Sequence, residues 1–253
     1  MMTRKYCPDE FPITLCLNGY ELATYQLTKA DLEDWAVGYL YSEGIINGPG
    51  DLKRITIDED QGRVLVDMDN EFNAEEFSQK QKHFTAGCGK GVTFFSMTDV
   101  KKFPKISTNR TVTLSYLLKK RHEFALNSPL YLETGGMHGA CIVDKDGNIT
   151  VREDIGRHNA VDKVLGYAVR EGLDPKSLIL LTTGRVSYEM LSKAARFGVG
   201  LIGTRTAATK QAVQLANFLQ IEIVGYMRGK MATVYTSQGK VLNDVTKVAG
   251  EQS

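Results

Sequence analysis

Cys88 stands between Gly87 and Gly89 in the run Thr85-Ala86-Gly87-Cys88-Gly89-Lys90-Gly91. Flanking glycines let the backbone expose a sulfur and aim several N–H groups at one anion. With Lys90 close by, both effects favour thiolate, the form that attacks sulfur donors and releases sulfur by exchange. The same run also reads as a tight turn with an incidental cysteine, because glycine-rich turns are common. Cys16 and Cys141 fall inside strand-like apolar runs and Cys7 lies near the N-terminus, so these three read as small hydrophobes rather than reactive groups.

A second dense cluster is Glu153-Asp154-Ile155-Gly156-Arg157-His158-Asn159-Ala160-Val161-Asp162-Lys163, packed between a predicted strand and a predicted helix. Polar groups at a strand's carboxyl end face the crevice where α/β proteins bind ligands. Asp154 is suited to cap or orient, Arg157 to bind an anion and His158 to move a proton, while a helix cap with a solvated face explains the same residues equally well. Thr182-Thr183-Gly184-Arg185-Val186-Ser187 and Thr204-Arg205-Thr206-Ala207-Ala208-Thr209 are two further strand-to-helix junctions offering N–H groups, hydroxyls and guanidiniums. Both suggest phosphate recognition, although neither is a Walker loop. Glu133-Thr134-Gly135-Gly136-Met137-His138-Gly139-Ala140 puts a histidine at a strand's start, where a structural role is the more common one.

The elements that position these groups follow from periodicity. Ile13–Leu17, the turn Asn18-Gly19 and the run after it predict strand, turn and strand. Thr28 is the expected N-cap of a helix in which Leu32, Trp35, Ala36, Tyr39 and Leu40 recur at 3–4 spacing up to Gly44. Arg54–Asp58 and Arg63–Met68 read as a hairpin, and residues 69–110 as a loop-rich connection. An amphipathic helix is predicted over Thr111–Leu126, with Leu114, Leu117, Leu118, Arg121 and Ala125 on one stripe. Beyond it strands and helices alternate. Strands are expected at 137–144, 149–152, 178–182, 200–203 and 222–227, helices at 159–170, 187–197 and 209–219, and a closing hairpin turns at Arg228-Gly229-Lys230 into Met231–Thr236. The expected fold class is α/β (α+β), with a small β-rich N-terminal subdomain and the Cys88 loop over 1–110 and a layered α/β domain over 111–253.

The chain of 253 residues, 42% hydrophobic, is long enough to build a substantial core. Its net charge of +1 offers no global field to attract nucleic acid or anionic membrane, so an anionic ligand must be held by a local cluster. Apolar runs such as Leu178–Leu181 are too short to cross a bilayer, and the charged N-terminus lacks an apolar signal core. These features, with four cysteines in no C-x-x-C spacing, lead us to expect a cytoplasmic protein. No H-x-E followed by P-C-x-x-C, no H-E-x-x-H and no four-ligand Cys/His set is present, which disfavours a zinc hydrolase or deaminase and predicts no structural metal.

The glycine–cysteine run, Glu133–His138, Glu153–Lys163 and Gly184-Arg185-Val186-Ser187-Tyr188-Glu189, taken in order, resemble the FdhD/NarQ family of formate dehydrogenase accessory sulfurtransferases. The resemblance runs from about residue 10 to the end. It implies a relay: a cysteine desulfurase loads Cys88 as a persulfide, and the sulfur passes to molybdenum in a bis(molybdopterin guanine dinucleotide) cofactor before insertion into formate dehydrogenase. Members often show C-G-x-C-G, whereas here Gly91 stands at the second cysteine position, which points to a single persulfide rather than a two-thiol relay. The resemblance further implies a cytidine-deaminase-like fold without its metal site, a homodimer, and cofactor contacts along Met231, Ala232, Thr233, Val234, Tyr235 and Thr236, which alone read as an ordinary strand with Met231 and Val234 in the core. We assign Arg185, Arg205 and Arg228 to the cofactor phosphates and Asp154, Arg157, His158 and His138 to supporting roles. Two alternatives stay open: a thiol redox protein, for which the missing second cysteine is a poor fit, and a non-catalytic cofactor-binding chaperone of a molybdoenzyme.

Overall fold

The computed structural model describes residues 6–69 and 105–245. Cys88 and its glycine-rich run lie outside the described residues. Four strands form the first sheet in the order β2-β1-β4-β3: β1 (Phe11–Leu17), β2 (Tyr20–Leu27), β3 (Leu52–Asp58) and β4 (Arg63–Met68). The β1–β2 hairpin turns where expected, with Asn18 and Gly19 both at positive φ. Alternation places Ile13, Leu15, Leu17, Val64 and Val66 on one buried face, against helix α1 (Leu32–Ser42).

α1 starts later than expected. Asp31, in left-handed conformation, occupies the N-cap. Thr28 is drawn elsewhere: its backbone N–H donates to Asp154 Oδ2 at 3.1 Å, its hydroxyl accepts from the Ile155 N–H at 3.3 Å, and its carbonyl accepts from Lys163 Nζ at 3.0 Å. Thr28 therefore ties the first sheet to the second half of the chain rather than capping a helix.

The larger sheet has six strands in the order β11-β10-β9-β8-β6-β7. β8 (Ile179–Thr182), β9 (Leu201–Thr204) and β10 (Glu222–Arg228) run parallel; on one side β6 (His138–Val143) pairs antiparallel with both β8 and the outer β7 (Ile149–Asp154), and on the other β11 (Met231–Thr236) pairs antiparallel with β10. β5 (Val112–Thr113) and β12 (Val241–Leu242) form a separate parallel pair. Helices α2 (Leu114–Leu126), α3 (Pro129–Thr134), α4 (Arg157–Arg170), α5 (Tyr188–Phe197) and α6 (Lys210–Leu219) complete the described fold, which is mixed α/β.

Strand alternation sorts the core into two layers. Cys141, Val143, Ile179, Leu181, Leu201 and Val224 face Leu117, Leu118 and Phe124 of α2. Ala140, Ile142, Leu180, Ile202 and Ile223 face α4, α5 and α6, in an apolar cluster continuous with α1 and the first sheet. α1 and α4 meet at two glycines: a Cβ on Gly38 would lie 1.8 Å from the Asp162 carbonyl oxygen, and one on Gly166 would lie 1.8 Å from that of Asp34. Only glycine permits that approach. Cys16 and Cys141 are buried in strands as expected, whereas Cys7 is exposed.

Helix starts follow local capping chemistry. Thr113, Ser187 and Thr209 each accept a backbone N–H three residues on, from Tyr116, Met190 and Ala212. α2 accordingly begins at Leu114, after a short strand that periodicity alone did not show, and α4 begins two residues earlier than expected, at Arg157. α3, six residues between Ser128 and Gly135, is too short to show helical periodicity in the sequence.

Candidate functional site

The polar cluster of β7 and α4 separates into two groups with different fates. Asp154 is fully buried and saturated: it pairs with Lys163 at 2.7 Å and accepts from the N–H groups of Thr28 and Gly156 and from the Asn159 amide. Lys163 adds bonds to the carbonyls of Thr28 and Glu153. A second buried pair, Asp162–Lys193, bridges α4 and α5 with both carboxylate oxygens 2.9 Å from Nζ, and Ser42 of α1 adds a bond at 3.0 Å. Burial works against the Lys193 charge, yet Asp162, Glu43 and Glu189 hold its pKa above the ordinary value. These groups are satisfied by the protein itself and lock α1, α4 and α5 together.

At the outer end of that network His158 Nε2 lies 3.4 Å from Ser187 Oγ and 3.5 Å from Glu189 Oε2. Burial, then Lys193, Arg157 and His138, push His158 down to about 3, and burial pushes the Glu189 carboxyl up to about 7. His158 is a neutral imidazole at physiological pH, beside a carboxyl near its midpoint. Serine and carboxylate face the same ring nitrogen and Ser187 Oγ already accepts the Met190 N–H, so the arrangement is not a serine-nucleophile triad, which uses both nitrogens. His138 Nδ1 sits 3.3 Å from Thr183 Oγ1, and burial and Arg157 hold its pKa below the ordinary value.

A cavity opens at the carboxyl ends of β8 and β9, lined by Arg121, Ser128, Tyr131, Thr182, Thr183 and Arg205, among others. Arg121 from α2 and Arg205 from the β9–α6 junction share this lining, and burial, then the charges of Arg205 and Arg228, hold Arg121 below its ordinary pKa. Arg205 Nη1 donates to Tyr131 Oη at 3.2 Å, and Arg228 lies 5.9 Å from the Tyr226 ring. Tyr131 is held in place by Glu153, whose two oxygens accept the N–H groups of Leu130 and Tyr131 at 2.9 and 2.7 Å and so cap α3. Tyr226 has φ of 47° at a β-bulge, is 45% exposed and stacks on Tyr235.

The distribution of arginine partners marks this end of the molecule. Arg54, Arg63, Arg152 and Arg170 pair with carboxylates, and Arg110 and Arg196 bond to backbone carbonyls. Among the described residues Arg121, Arg157, Arg185, Arg205 and Arg228 have no carboxylate within ion-pair distance. Four of these were singled out in the sequence. Arg121 was not, although a guanidinium inside an otherwise apolar helical stripe was the available signal. Arg185 is exposed, and no interaction among the described residues ties it to Arg121, Arg205 or Arg228.

The junction hydroxyls are not free for an anion as the sequence suggested. Thr182 Oγ1 accepts the Gly184 N–H and Thr204 Oγ1 accepts the Thr206 N–H while donating to the Gly184 carbonyl, and Ser187 and Thr209 serve as caps. The guanidiniums of Arg121, Arg205 and Arg228 are the groups here without a carboxylate partner among the described residues. Along β11, Met231 is 74% and Val234 52% exposed, contrary to the core placement expected of a plain strand, because β11 is the sheet's edge. Thr233 is also exposed, Ala232 packs against the α2-side core, Tyr235 stacks on Tyr226, and Thr236 is buried with its hydroxyl between Ile221 and Ile223. No group of three or more His, Cys, Asp or Glu poised to hold a metal occurs among the described residues. No described helix is long and apolar enough to cross a membrane.

A layered α/β protein with a basic crevice at its parallel strand ends can be placed by comparison. Residues 8–242 match the model of the FdhD/NarQ family, and the chain belongs to that family. It is 37% identical over 237 residues to a sulfur carrier protein FdhD of Geobacillus kaustophilus, covering 92% of this chain and 89% of that protein. A sulfur carrier protein FdhD of Bacillus licheniformis is 35% identical over 232 residues, covering 92% and 88%. The crystal structure of a candidate formate dehydrogenase accessory protein from Desulfotalea psychrophila superposes with a TM-score of 0.77 at 25% identity, covering 94% of this chain and 91% of that one.

Proposed function

We propose that this protein is a sulfurtransferase serving formate dehydrogenase: Cys88 takes sulfur from a cysteine desulfurase and gives it to the molybdenum of a bis(molybdopterin guanine dinucleotide) cofactor held as cargo. In the loading step the Cys88 thiolate attacks the outer sulfur of the desulfurase persulfide. A new S–S bond forms on Cys88, the old one breaks, and the desulfurase cysteine leaves as thiolate. The names borne by the relatives support the sulfur-carrier reading.

The observation that carries the cargo side is that Arg121 and Arg205 line one cavity, with the Arg228 charge also acting on Arg121 and no carboxylate partner for any of the three among the described residues. Three like charges held together raise the free energy of the empty protein and fall into place once an anion of two or more charges enters. The diphosphates of a guanine dinucleotide supply that charge, and bidentate guanidinium contacts suit phosphate oxygens. Exposed Tyr226, over whose ring Arg228 lies, and the exposed residues of β11 offer surface to the rest of a large planar cargo. We read the working form as a cytoplasmic homodimer and the six-stranded domain as cytidine-deaminase-like.

Intact-mass measurement after incubation with a cysteine desulfurase and cysteine tests the carrier role. A gain of one sulfur in the native protein and none in Cys88→Ala is expected. Equal loading of both, or rescue of formate dehydrogenase by Cys88→Ala, sinks the relay and favours a cofactor chaperone.

A further inference from the structure

Four non-glycine residues among those described have positive φ, and three of them have local reasons: Asn18 sits in a hairpin turn, Asp31 and Gln220 at helix ends. Tyr226, at φ 47°, lies inside β10. A left-handed backbone is costly for a bulky side chain, and such outliers gather at functional sites. Core packing does not account for this one, because Tyr226 is 45% exposed between buried Gly225 and buried Met227. Glycine would relieve the backbone at this position, so what tyrosine adds there is its ring.

The neighbouring residues hold that ring in one place. β9 and β10 pair as far as Gly203 and Val224, and the Tyr226 N–H then donates to the Thr206 carbonyl at 2.8 Å, next in sequence to Arg205 of the cavity lining. Tyr235 stacks on Tyr226 with ring centroids 6.5 Å apart, and its hydroxyl accepts the Ala208 N–H. Tyr235 fits there only because residue 225 is glycine: a Cβ on it would fall 2.5 Å from Tyr235 Cε2 and 2.8 Å from the Thr206 carbonyl oxygen. Arg228, exposed and without a carboxylate partner among the described residues, stands 5.9 Å from the Tyr226 ring centroid, and its charge also acts on Arg121 of the cavity.

We propose that Tyr226 is the stacking platform for the purine base of the nucleotide cargo, whose phosphates go to Arg205 and Arg121. An exposed aromatic ring offers a π-face, and stacking a base on it requires no further hydrogen-bond partner. A ring fixed by its backbone bond to Thr206 and by Tyr235 loses little freedom when a base settles on it. A guanidinium beside the ring adds a second group that favours an electron-rich heterocycle over an aliphatic ligand. This assignment deepens the cargo reading and rests on it: the arginines select the phosphates, and Tyr226 selects what the phosphates carry.

Calorimetric affinities for GDP and for inorganic pyrophosphate test it, with the guanine ring proton followed by NMR. Tyr226→Ala should weaken GDP about tenfold and leave pyrophosphate within about a factor of two. Tyr226→Phe keeps the ring and should keep native GDP affinity, whereas Arg205→Gln should weaken both ligands. The guanine proton should move upfield on binding to the native protein and to Tyr226→Phe, and not on binding to Tyr226→Ala. Native GDP affinity in Tyr226→Ala overturns the proposal, and so does an equal loss of both ligands, which would make the ring a structural support. Should Tyr226→Ala fail to fold, Tyr226→Gly, which suits the left-handed backbone, takes its place. Native protein that binds neither GDP nor pyrophosphate overturns the cargo reading as well, while binding of both without any effect of Tyr226 overturns the stacking assignment alone.

Discussion

Replacing Arg121 with glutamine distinguishes a ligand pocket from an ordinary basic surface, because the two give opposite outcomes for stability. Arg121 is held near Arg205 and Arg228, and no carboxylate pairs with any of the three among the described residues. In a half-exposed, salt-screened setting each neighbouring like charge costs a few tenths to about 1 kcal/mol. Glutamine removes both repulsions and forfeits about 0.5 kcal/mol of stem packing against Phe124 and Ala125. The net change is a gain of up to about 1 kcal/mol, or roughly 2–4 °C in Tm for a chain of this size. GDP serves as the probe for the cargo's phosphates. Losing one charge-assisted contact should weaken it about tenfold, near 1.4 kcal/mol. At a GDP concentration of about 100 times the native Kd, stabilisation then falls from about 2.7 to about 1.4 kcal/mol. Thermal melts with and without GDP measure both quantities. A variant that melts below the native protein yet keeps the full GDP shift would refute the reasoning, since Arg121 would then be a structural residue.

Gly38→Ala or Gly166→Ala should destabilise by about 3 kcal/mol or more in urea titrations, because each new methyl lands 1.8 Å from a backbone oxygen and α1 and α4 must part; Gly50→Ala, with open space around it, should change stability by less than about 0.5 kcal/mol. Glu189 has a folded pKa of about 7, above its ordinary 4.5, so its contribution is complete below pH 4.5 and lost as pH rises through 7. Glu189→Gln should therefore remove up to about 3 kcal/mol of stability decline across that window in pH-dependent denaturation. His158, lowered from 6.5 to about 3, has the opposite sign: its contribution is complete above pH 6.5 and lost on acidification toward 3, so His158→Gln should flatten the acid limb. Glu153→Gln and Tyr131→Phe should each weaken GDP a few-fold, and the double variant no more than the worse single one, since both act through Arg205; additive losses would break that link.

The alternating second half was legible because its strands are short apolar runs bounded by glycine, and its helices carry wide apolar stripes. The hairpin at Arg228-Gly229-Lys230 followed from turn chemistry, and the pairing Arg228 with Met231 agrees with it. Errors gathered where tertiary contacts outweigh local signals. Thr28 has the chemistry of an N-cap, but a buried carboxylate and a buried lysine from residues 154 and 163 claim its backbone. Met231 and Val234 have the composition of core residues, and only the strand order reveals that β11 is an edge strand among the described residues. Arg121 lies far in sequence from Arg205 and Arg228, so no spacing rule could bring the three together.

The segment Glu153–Lys163 shows why a dense polar motif could be read two ways. Asn159, Asp162, Lys163 and Gly166 share one face of α4 by the i, i+3, i+4 rule, and that face meets α1, β2 and β7. Every charge on it is answered by the protein, which makes those residues part of the scaffold. Arg157 and His158 sit at the helix's first turn, beyond the reach of those partners, and face the junction after β8. One motif therefore divides between residues that form the scaffold and residues that stand apart from that network. What separates them is whether a polar atom finds its partner among the described residues, and Arg157 Nε is an atom in that motif that does not.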